Sequence, residues 1–156
     1  DHGIMPRLNR SLIHIEIQNT FLRIDMHSLN IVILIILVAC LLPYVFAFIA
    51  RSTSSYDPKI HDSHRQVVEQ SQGITKRADA VQKNSYEGLP LFIAAMLIAD
   101  YLVVPDIFVV TLGIAYLILR IIYGLCYLAN FNRLRSVFWL LATLCPVCLL
   151  IICIRL

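Results

Sequence analysis

Charge is scarce in this sequence. Only 15% of the 156 residues are Asp, Glu, Lys or Arg, and 59% are hydrophobic. Soluble domains have about 25% charged residues, so this composition excludes an ordinary soluble protein. Several catalytic signatures are also missing, because the sequence contains no glycine-rich nucleotide loop, no HExxH and no nucleophile elbow. We therefore expect no enzyme of those classes, no resident metal and no nucleic-acid partner.

Cysteine is present, but its placement does not indicate an oxidised scaffold. All the cysteines lie in apolar segments, where this residue serves as a small hydrophobe. Cys145 and Cys148 form a CxxC without a flanking His, Asp or Glu. A metal or redox site is one interpretation of this pair. Small packing residues around a proline bend are the better one.

Apolar residues are concentrated in four stretches, at 29–50, 89–104, 107–119 and 136–154. A bilayer core of about 30 Å needs about 20 helical residues. The first and fourth stretches meet this length, and the third does so by continuing to residue 128. The second is short and must begin in the polar segment near residue 75. Because none alternates as barrel strands do, the sequence predicts an all-α integral membrane protein with four transmembrane helices, at 29–50, about 75–104, 107–128 and 136–154.

The basic residues predict an orientation. Segment 51–88 holds six Lys or Arg residues, the link before residue 136 adds Arg133 and Arg135, and the link near residue 105 has none. The first and third loops are therefore expected to be cytoplasmic. Residues 1–25 lack a clear apolar period and contain arginines that oppose this orientation. They are interpreted as an N-terminal extension of doubtful status before a domain at 26–156, with Asp1 or Met26 as alternative starts.

The second predicted helix enters the membrane with a polar stripe. Arg77 and Asn84 are seven residues apart and Glu87 follows by three, so the three share one helical face. Charged side chains at the end of a membrane helix commonly extend towards the aqueous interface. Taken alone, this stripe is best interpreted as such a helix end.

The third predicted helix makes a binding site the stronger hypothesis. Arg120, Tyr123 and Tyr127 share one face, and Arg120 lies within an apolar pattern. An arginine in lipid costs at least about 2.5 kcal/mol on insertion scales and normally faces a partner inside the bundle. The two helices are antiparallel, so both stripes lie at one depth and are expected to line a common crevice.

The chemistry of this crevice favours a small zwitterion that carries carboxylates. Arginines bind carboxylates, an amide both donates and accepts, and a carboxylate can hold an ammonium group. A cationic site would also lower the pKa of a bound thiol and stabilise its thiolate.

These residues resemble a known family, the membrane-associated proteins in eicosanoid and glutathione metabolism (MAPEG). The segment from Arg77 to Pro90 is similar to that family's R-x6-N-x2-E-x2-P motif. Arg120, Tyr123 and Tyr127 on the third predicted helix, followed by Leu-Arg-Ser at 134–136, are also similar to that family. The resemblance covers residues 30–154, and the short loops look most like those of bacterial members.

The resemblance implies a four-helix bundle that assembles as a homotrimer and binds glutathione, as co-substrate, between subunits. It implies that Arg135 stabilises the thiolate, with Arg133 as the alternative. It further implies that glutathione is bound by the polar residues of both stripes, namely Arg77, Asn84, Glu87, Arg120, Tyr123 and Tyr127. One departure concerns the co-substrate, because Ala80 stands where many members have a second arginine.

Two functions follow as hypotheses. The first is a glutathione transferase or peroxidase in a bacterial inner membrane, acting on lipophilic electrophiles or lipid hydroperoxides. The second is a non-catalytic trimeric membrane protein that binds a lipid or an anionic metabolite in the same crevice. The sequence does not choose the electrophile, and it leaves open whether the protein is an enzyme.

Overall fold

The computed structural model describes residues 5–57 and 63–155, with side chains described at Ile15 and from residue 29 onward. Across these ranges the chain is helical and contains no strand. Its helices are α1 (Met5–Ser52), α2 (His64–Gln70), α3 (Ile74–Tyr101), α4 (Asp106–Leu128) and α5 (Asn132–Arg155). The all-α prediction is confirmed for this part of the chain.

Three helices are long and apolar enough to cross a membrane by length and composition. They are Leu29–Ser52 within α1, Asp106–Leu128 and Asn132–Arg155. Helix α3 does not qualify, because its first half carries Lys76, Arg77, Asp79, Lys83 and Glu87 before the apolar part begins. An integral membrane protein is thus supported, whereas a fourth span is not.

Helix boundaries differ from the predicted ones in two places that matter for the site. The segment before α3 contains the short helix α2, which the polar composition of 51–73 does not predict. Helix α5 begins at Asn132, so Arg133 and Arg135 lie in its first turn rather than in a loop. The hydrogen bond from Arg135 N to Phe131 O, at 3.1 Å, belongs to this early turn. The apolar stretch begins at 136, but the helix starts four residues earlier and includes the polar residues Asn132, Arg133 and Arg135.

Helix α1 is continuous from Met5 to Ser52 and passes through Met26. Residues 1–4 lie outside the described ranges. The interpretation of 1–25 as an extension, and of Met26 as the start, stays a prediction.

The core brings α3, α4 and α5 together with the second half of α1. Helix α4 packs mainly on α5, and α1 packs mainly on α3. The ring of Phe92 in α3 stacks on that of Tyr116 in α4, with centroids 3.9 Å apart. Gly124 permits a close approach of α1, because a methyl group there would overlap the ring of Phe46. The Phe92–Tyr116 stack joins the two helices that carry the polar stripes, and the Gly124–Phe46 contact packs α1 against one of them.

The polar end of the bundle is held by α2 and by the start of α3. The hydroxyl of Thr75, which is buried, donates to the carbonyl of Thr53 at 2.9 Å and so joins α3 to the end of α1. The ring of Tyr56 stacks on His64 of α2 at 4.4 Å. The Thr75 hydrogen bond positions the first turn of α3, where Lys76 and Arg77 lie, and the Tyr56–His64 stack positions α2.

Candidate functional site

The two polar stripes meet at Asn84 and Tyr123. The Asn84 amide nitrogen donates to the Tyr123 hydroxyl at 2.9 Å, and the tyrosine is only 3% exposed. The pairing joins α3 to α4 across 39 positions of sequence. The two stripes are therefore in direct contact at this pair, and the two polar groups orient each other.

Arg120 lies behind this pair and is itself buried, with 2% of its surface exposed. Its Nη1 donates to the backbone carbonyl of Asn84 at 3.4 Å, and its Nε donates to the hydroxyl of Tyr116 at 3.2 Å. Its guanidinium carbon is 5.3 Å from the Tyr116 ring centroid and 5.8 Å from that of Tyr123. No carboxylate of the described residues pairs with it. Aromatic rings, a hydroxyl and a carbonyl therefore compensate this buried cation.

Gly88 makes room for the arginine on α3. A Cβ at this position would overlap Arg120 Nη2, and it would lie 2.9 Å from Cζ and 3.3 Å from the Tyr116 hydroxyl. A side chain here would push the guanidinium off the helix backbone. Glycine at this turn of α3 therefore accommodates the Arg120 guanidinium by close approach, and not by its own backbone conformation.

Gly88→Ala is expected to destabilise the protein by roughly 1–3 kcal/mol, because overpacking forces Arg120 to move. At an unobstructed helix position the same change would instead stabilise by about 1 kcal/mol. Thermal or denaturant unfolding in detergent measures the sign of the change in the free energy of unfolding. In an Arg120→Ala background the cost is expected to vanish, and a persistent cost there would mean that another contact is responsible.

Tyr127 and Arg135 continue the site towards the end of the bundle. The Tyr127 ring meets that of Tyr123 edge to face at 5.8 Å. The Arg135 guanidinium carbon lies over the Tyr127 ring at 4.3 Å from its centroid. This cation–π contact holds the guanidinium beside the Asn84–Tyr123 pair without neutralising its charge.

A cavity of about 460 Å³ opens where these side chains meet, and we call it the tyrosine cavity. Its polar lining includes Asn84 and Arg135. Its apolar lining includes Trp139 and Leu140, which are exposed side chains of α5. The full lining is Asn84, Tyr123, Tyr127, Arg135, Ser136, Trp139 and Leu140.

A second cavity, of about 420 Å³, lies at the start of α3, and we call it the rim cavity. Arg77, Tyr127 and Arg135 all line it, and Tyr127 and Arg135 also line the tyrosine cavity. Arg77 Nε is shielded from solvent and has no hydrogen-bond partner among the described residues. Ala80 also lines this cavity, and its small side chain leaves the space open.

Glu87 is not brought to the other predicted residues. It is exposed, it lines neither cavity, and within the described part of the chain it has no hydrogen bond or ion pair. Arg133 is also exposed and lines neither cavity, whereas Arg135 lines both. Of the two candidate arginines, Arg135 is therefore the one beside Tyr123 and Tyr127.

Sequence reasoning missed Tyr116, Gly88 and Trp139. Tyr116 precedes Arg120 by four residues and extends the Arg120–Tyr127 face by one turn, so the helical pattern could have identified it. Trp139 follows Arg135 by four residues, and this spacing becomes visible only once α5 is known to begin at Asn132. Gly88 has no sequence signal, because its role depends on where the Arg120 side chain ends.

The tyrosine cavity combines one fixed positive charge, two phenol hydroxyls and an amide beside an apolar wall. Such a set can stabilise an anion that develops next to a hydrophobic reactant. No group of three or more His, Cys, Asp and Glu residues is positioned to hold a metal ion in the described part of the chain.

The architecture and site define a helical membrane protein with a polar crevice among its helices. A family model for MAPEG matches residues 29–155, so the chain belongs to the MAPEG family. The match includes both polar stripes, Arg135 and the three candidate spans. Searches of curated proteins and of solved structures found no match.

Proposed function

We propose that the protein is a glutathione transferase or peroxidase that acts on lipophilic electrophiles or lipid hydroperoxides. Membership in the family supports this, because it includes such enzymes as well as non-catalytic members. The observation that carries the proposal is the placement of Arg135 over Tyr127, in a cavity shared with Asn84 and Tyr123. The cavity volume of about 460 Å³ lies within the usual range of about 300–1,000 Å³ for small-molecule sites.

In the proposed mechanism, Arg135 stabilises the glutathione thiolate by its charge and lowers the pKa of the bound thiol. The thiolate forms a carbon–sulfur bond with the electrophile, and the leaving group departs with the electron pair. With a hydroperoxide, the thiolate takes the distal oxygen, which yields a sulfenic acid and an alkoxide that is protonated to the alcohol. A second glutathione then reduces the sulfenic acid, giving the disulfide and water.

The proposed assembly is a homotrimer of four-span subunits, with α3 as the fourth span. Glu87 is exposed and has no partner among the described residues, while the family resemblance places glutathione between subunits. A neighbouring subunit would cover this carboxylate and complete the crevice. The short loops motivate a bacterial inner-membrane location, and the basic residues of the first and third loops motivate their cytoplasmic orientation. Both stay predictions.

The transferase proposal is tested by conjugation of glutathione to a chlorodinitrobenzene, with purified protein in detergent. Turnover above the uncatalysed rate is expected, with saturation by glutathione. A protein that neither binds glutathione nor turns over would contradict the enzyme proposal.

The alternative is a non-catalytic membrane protein that binds an anionic ligand in the same crevice. Ala80 favours it, because the side chain lining the rim cavity at this position brings no charge. Glutathione binding without turnover of either an electrophile or a hydroperoxide would support this alternative.

Ala80→Arg is expected to tighten glutathione binding about tenfold or more. A charge-assisted hydrogen bond contributes about 1.5–3 kcal/mol, and each 1.4 kcal/mol is a factor of ten. Calorimetric titration of both proteins measures this change. Gln66→Arg is the matched control, because it adds the same charge at an exposed position of α2 outside the rim and tyrosine cavities. Equal tightening by both variants would indicate a general charge effect.

A further inference from the structure

Trp139 is the apolar residue of the tyrosine cavity that lies nearest to Arg135 along the chain. It follows Arg135 by four residues of α5, which is one helical turn and about 6 Å along the helix axis. Residues with this spacing share one face of a helix, and both side chains line the tyrosine cavity. A group bonded to a thiolate held at Arg135 would therefore lie within one helical turn of the indole ring.

The indole ring of Trp139 is available to such a group. The side chain is exposed, and it makes no ring contact and no hydrogen bond with the described residues. The hydroxyl of Thr143, one turn further along α5, donates to the Trp139 carbonyl at 2.9 Å, so this donor is already used. An aromatic face that the described part of the chain does not cover thus borders the cavity beside its arginine.

A tryptophan near the end of a membrane helix commonly anchors that helix at the bilayer interface. Trp139 lies in the second turn of the candidate span Asn132–Arg155, and this position fits an anchor. Anchoring does not require a cavity, however, and Trp139 shares one with Arg135, Tyr123 and Tyr127. The shared cavity is the observation that an anchor alone leaves unexplained.

We propose that Trp139 is a specificity-determining residue that favours planar, electron-poor aromatic electrophiles over linear aliphatic ones, an inference that rests on the proposed transferase function. The face of an aromatic ring is negative, and aromatic pairs prefer offset-stacked or edge-to-face geometry. An electron-poor ring stacks on the indole while its reactive carbon meets the thiolate at Arg135. The carbon–sulfur bond forms, the ring takes up an electron pair, and the halide then departs with its bonding pair. A linear chain has no ring face and gains only apolar contact, which Leu140 also supplies.

Conjugation of glutathione to chlorodinitrobenzene and to a linear nonenal, by the purified full chain in detergent, tests the preference. Trp139→Leu is expected to lower kcat/KM for the aromatic electrophile roughly three- to tenfold, the contribution of an aromatic pair, and to change that for the nonenal by no more than about twofold. Trp139→Phe keeps a ring face and is expected to retain the preference. Leu141→Ala is the control, because Leu141 is an exposed residue of α5 that does not line the cavity.

Fluorescence provides a second arm that does not depend on turnover. Trp139 is the sole tryptophan of the chain, so its emission reports directly on its surroundings. The S-hexyl conjugate of glutathione does not absorb this emission. At concentrations where calorimetry shows binding, it is expected to shift the emission to shorter wavelength by excluding water from the indole.

The outcomes separate this inference from the proposed function on which it rests. Turnover of both electrophiles with an unchanged ratio in Trp139→Leu, or emission that a bound conjugate leaves unchanged, would overturn the role of Trp139 and leave the transferase proposal intact. Equal losses with both electrophiles would indicate a structural role and would also overturn it. A parent protein that neither binds glutathione nor turns over either electrophile would contradict the proposed function, and this inference with it.

Discussion

Arg135→Gln is expected to lower the kcat of glutathione conjugation by roughly 10²–10³-fold, the usual loss when a preorganised anion-stabilising group is removed. The Arg135 guanidinium is fixed over the Tyr127 ring and borders the cavity that holds Asn84 and Tyr123. Glutathione has other contacts in the proposed site, so its affinity is expected to change only a few-fold. Steady-state kinetics and equilibrium binding measure the two quantities separately.

Arg133→Gln is the matched control for this experiment. The residue lies in the same first turn of α5, is exposed, and lines neither the tyrosine cavity nor the rim cavity. Its replacement is expected to leave kcat unchanged. The opposite pattern, a loss in Arg133→Gln with normal turnover in Arg135→Gln, would show that the thiolate-stabilising role belongs to the other arginine.

Arg120→Ala is expected to lower the free energy of unfolding by roughly 2–5 kcal/mol, the range for truncating a large buried side chain. The change also removes the donor to the Asn84 carbonyl and to the Tyr116 hydroxyl. Both acceptors are then left without that partner inside the bundle, which adds to the cost. Reversible denaturation in detergent, or the shift of the thermal midpoint, measures the loss.

A surface arginine provides the comparison for Arg120. Arg133→Ala is expected to change the free energy of unfolding by no more than about 0.5 kcal/mol, as is usual for exposed positions.

Glutathione affinity is also expected to fall in Arg120→Ala, because Asn84 and Tyr123 lose the group that packs behind them. A variant as stable as the parent would mean that the guanidinium is not held by these contacts.

Much of the fold follows from the sequence, because apolar length is a direct physical requirement of the bilayer. The stretches at 29–50, 107–128 and 136–154 correspond to the three candidate spans. The stretch at 89–104 is too short, so periodicity alone could not decide whether α3 crosses the membrane. The short helix α2 was not predicted, because its segment has no apolar pattern. In the structure it packs against α1 and α3.

The site was only partly accessible to sequence reasoning. Helical spacing places Arg120, Tyr123 and Tyr127 on one face, and the structure pairs Tyr123 with Asn84. Spacing cannot tell a residue that lines a cavity from one buried behind it, and Arg120 lies behind the cavity wall at 2% exposure. Its pattern predicts a direct contact with the ligand, but its burial favours a positioning role.

Glu87 illustrates a different limit. Its spacing from Asn84 predicts proximity to the stripe, yet α3 turns its side chain to the surface of the single chain. What covers that surface depends on assembly, which neither the periodicity of one helix nor the packing of one chain determines. In the proposed homotrimer, a second subunit would cover this carboxylate, which is exposed and unpartnered among the described residues.

The most direct test of the central proposal is a titration of the purified protein with glutathione, followed by the ultraviolet absorbance of the thiolate. Saturable binding with a thiolate signal near neutral pH is predicted for the parent protein. Arg135→Gln is predicted to bind glutathione and to lose the thiolate signal. Absence of binding by the parent protein, or an undiminished thiolate signal in Arg135→Gln, would contradict the account.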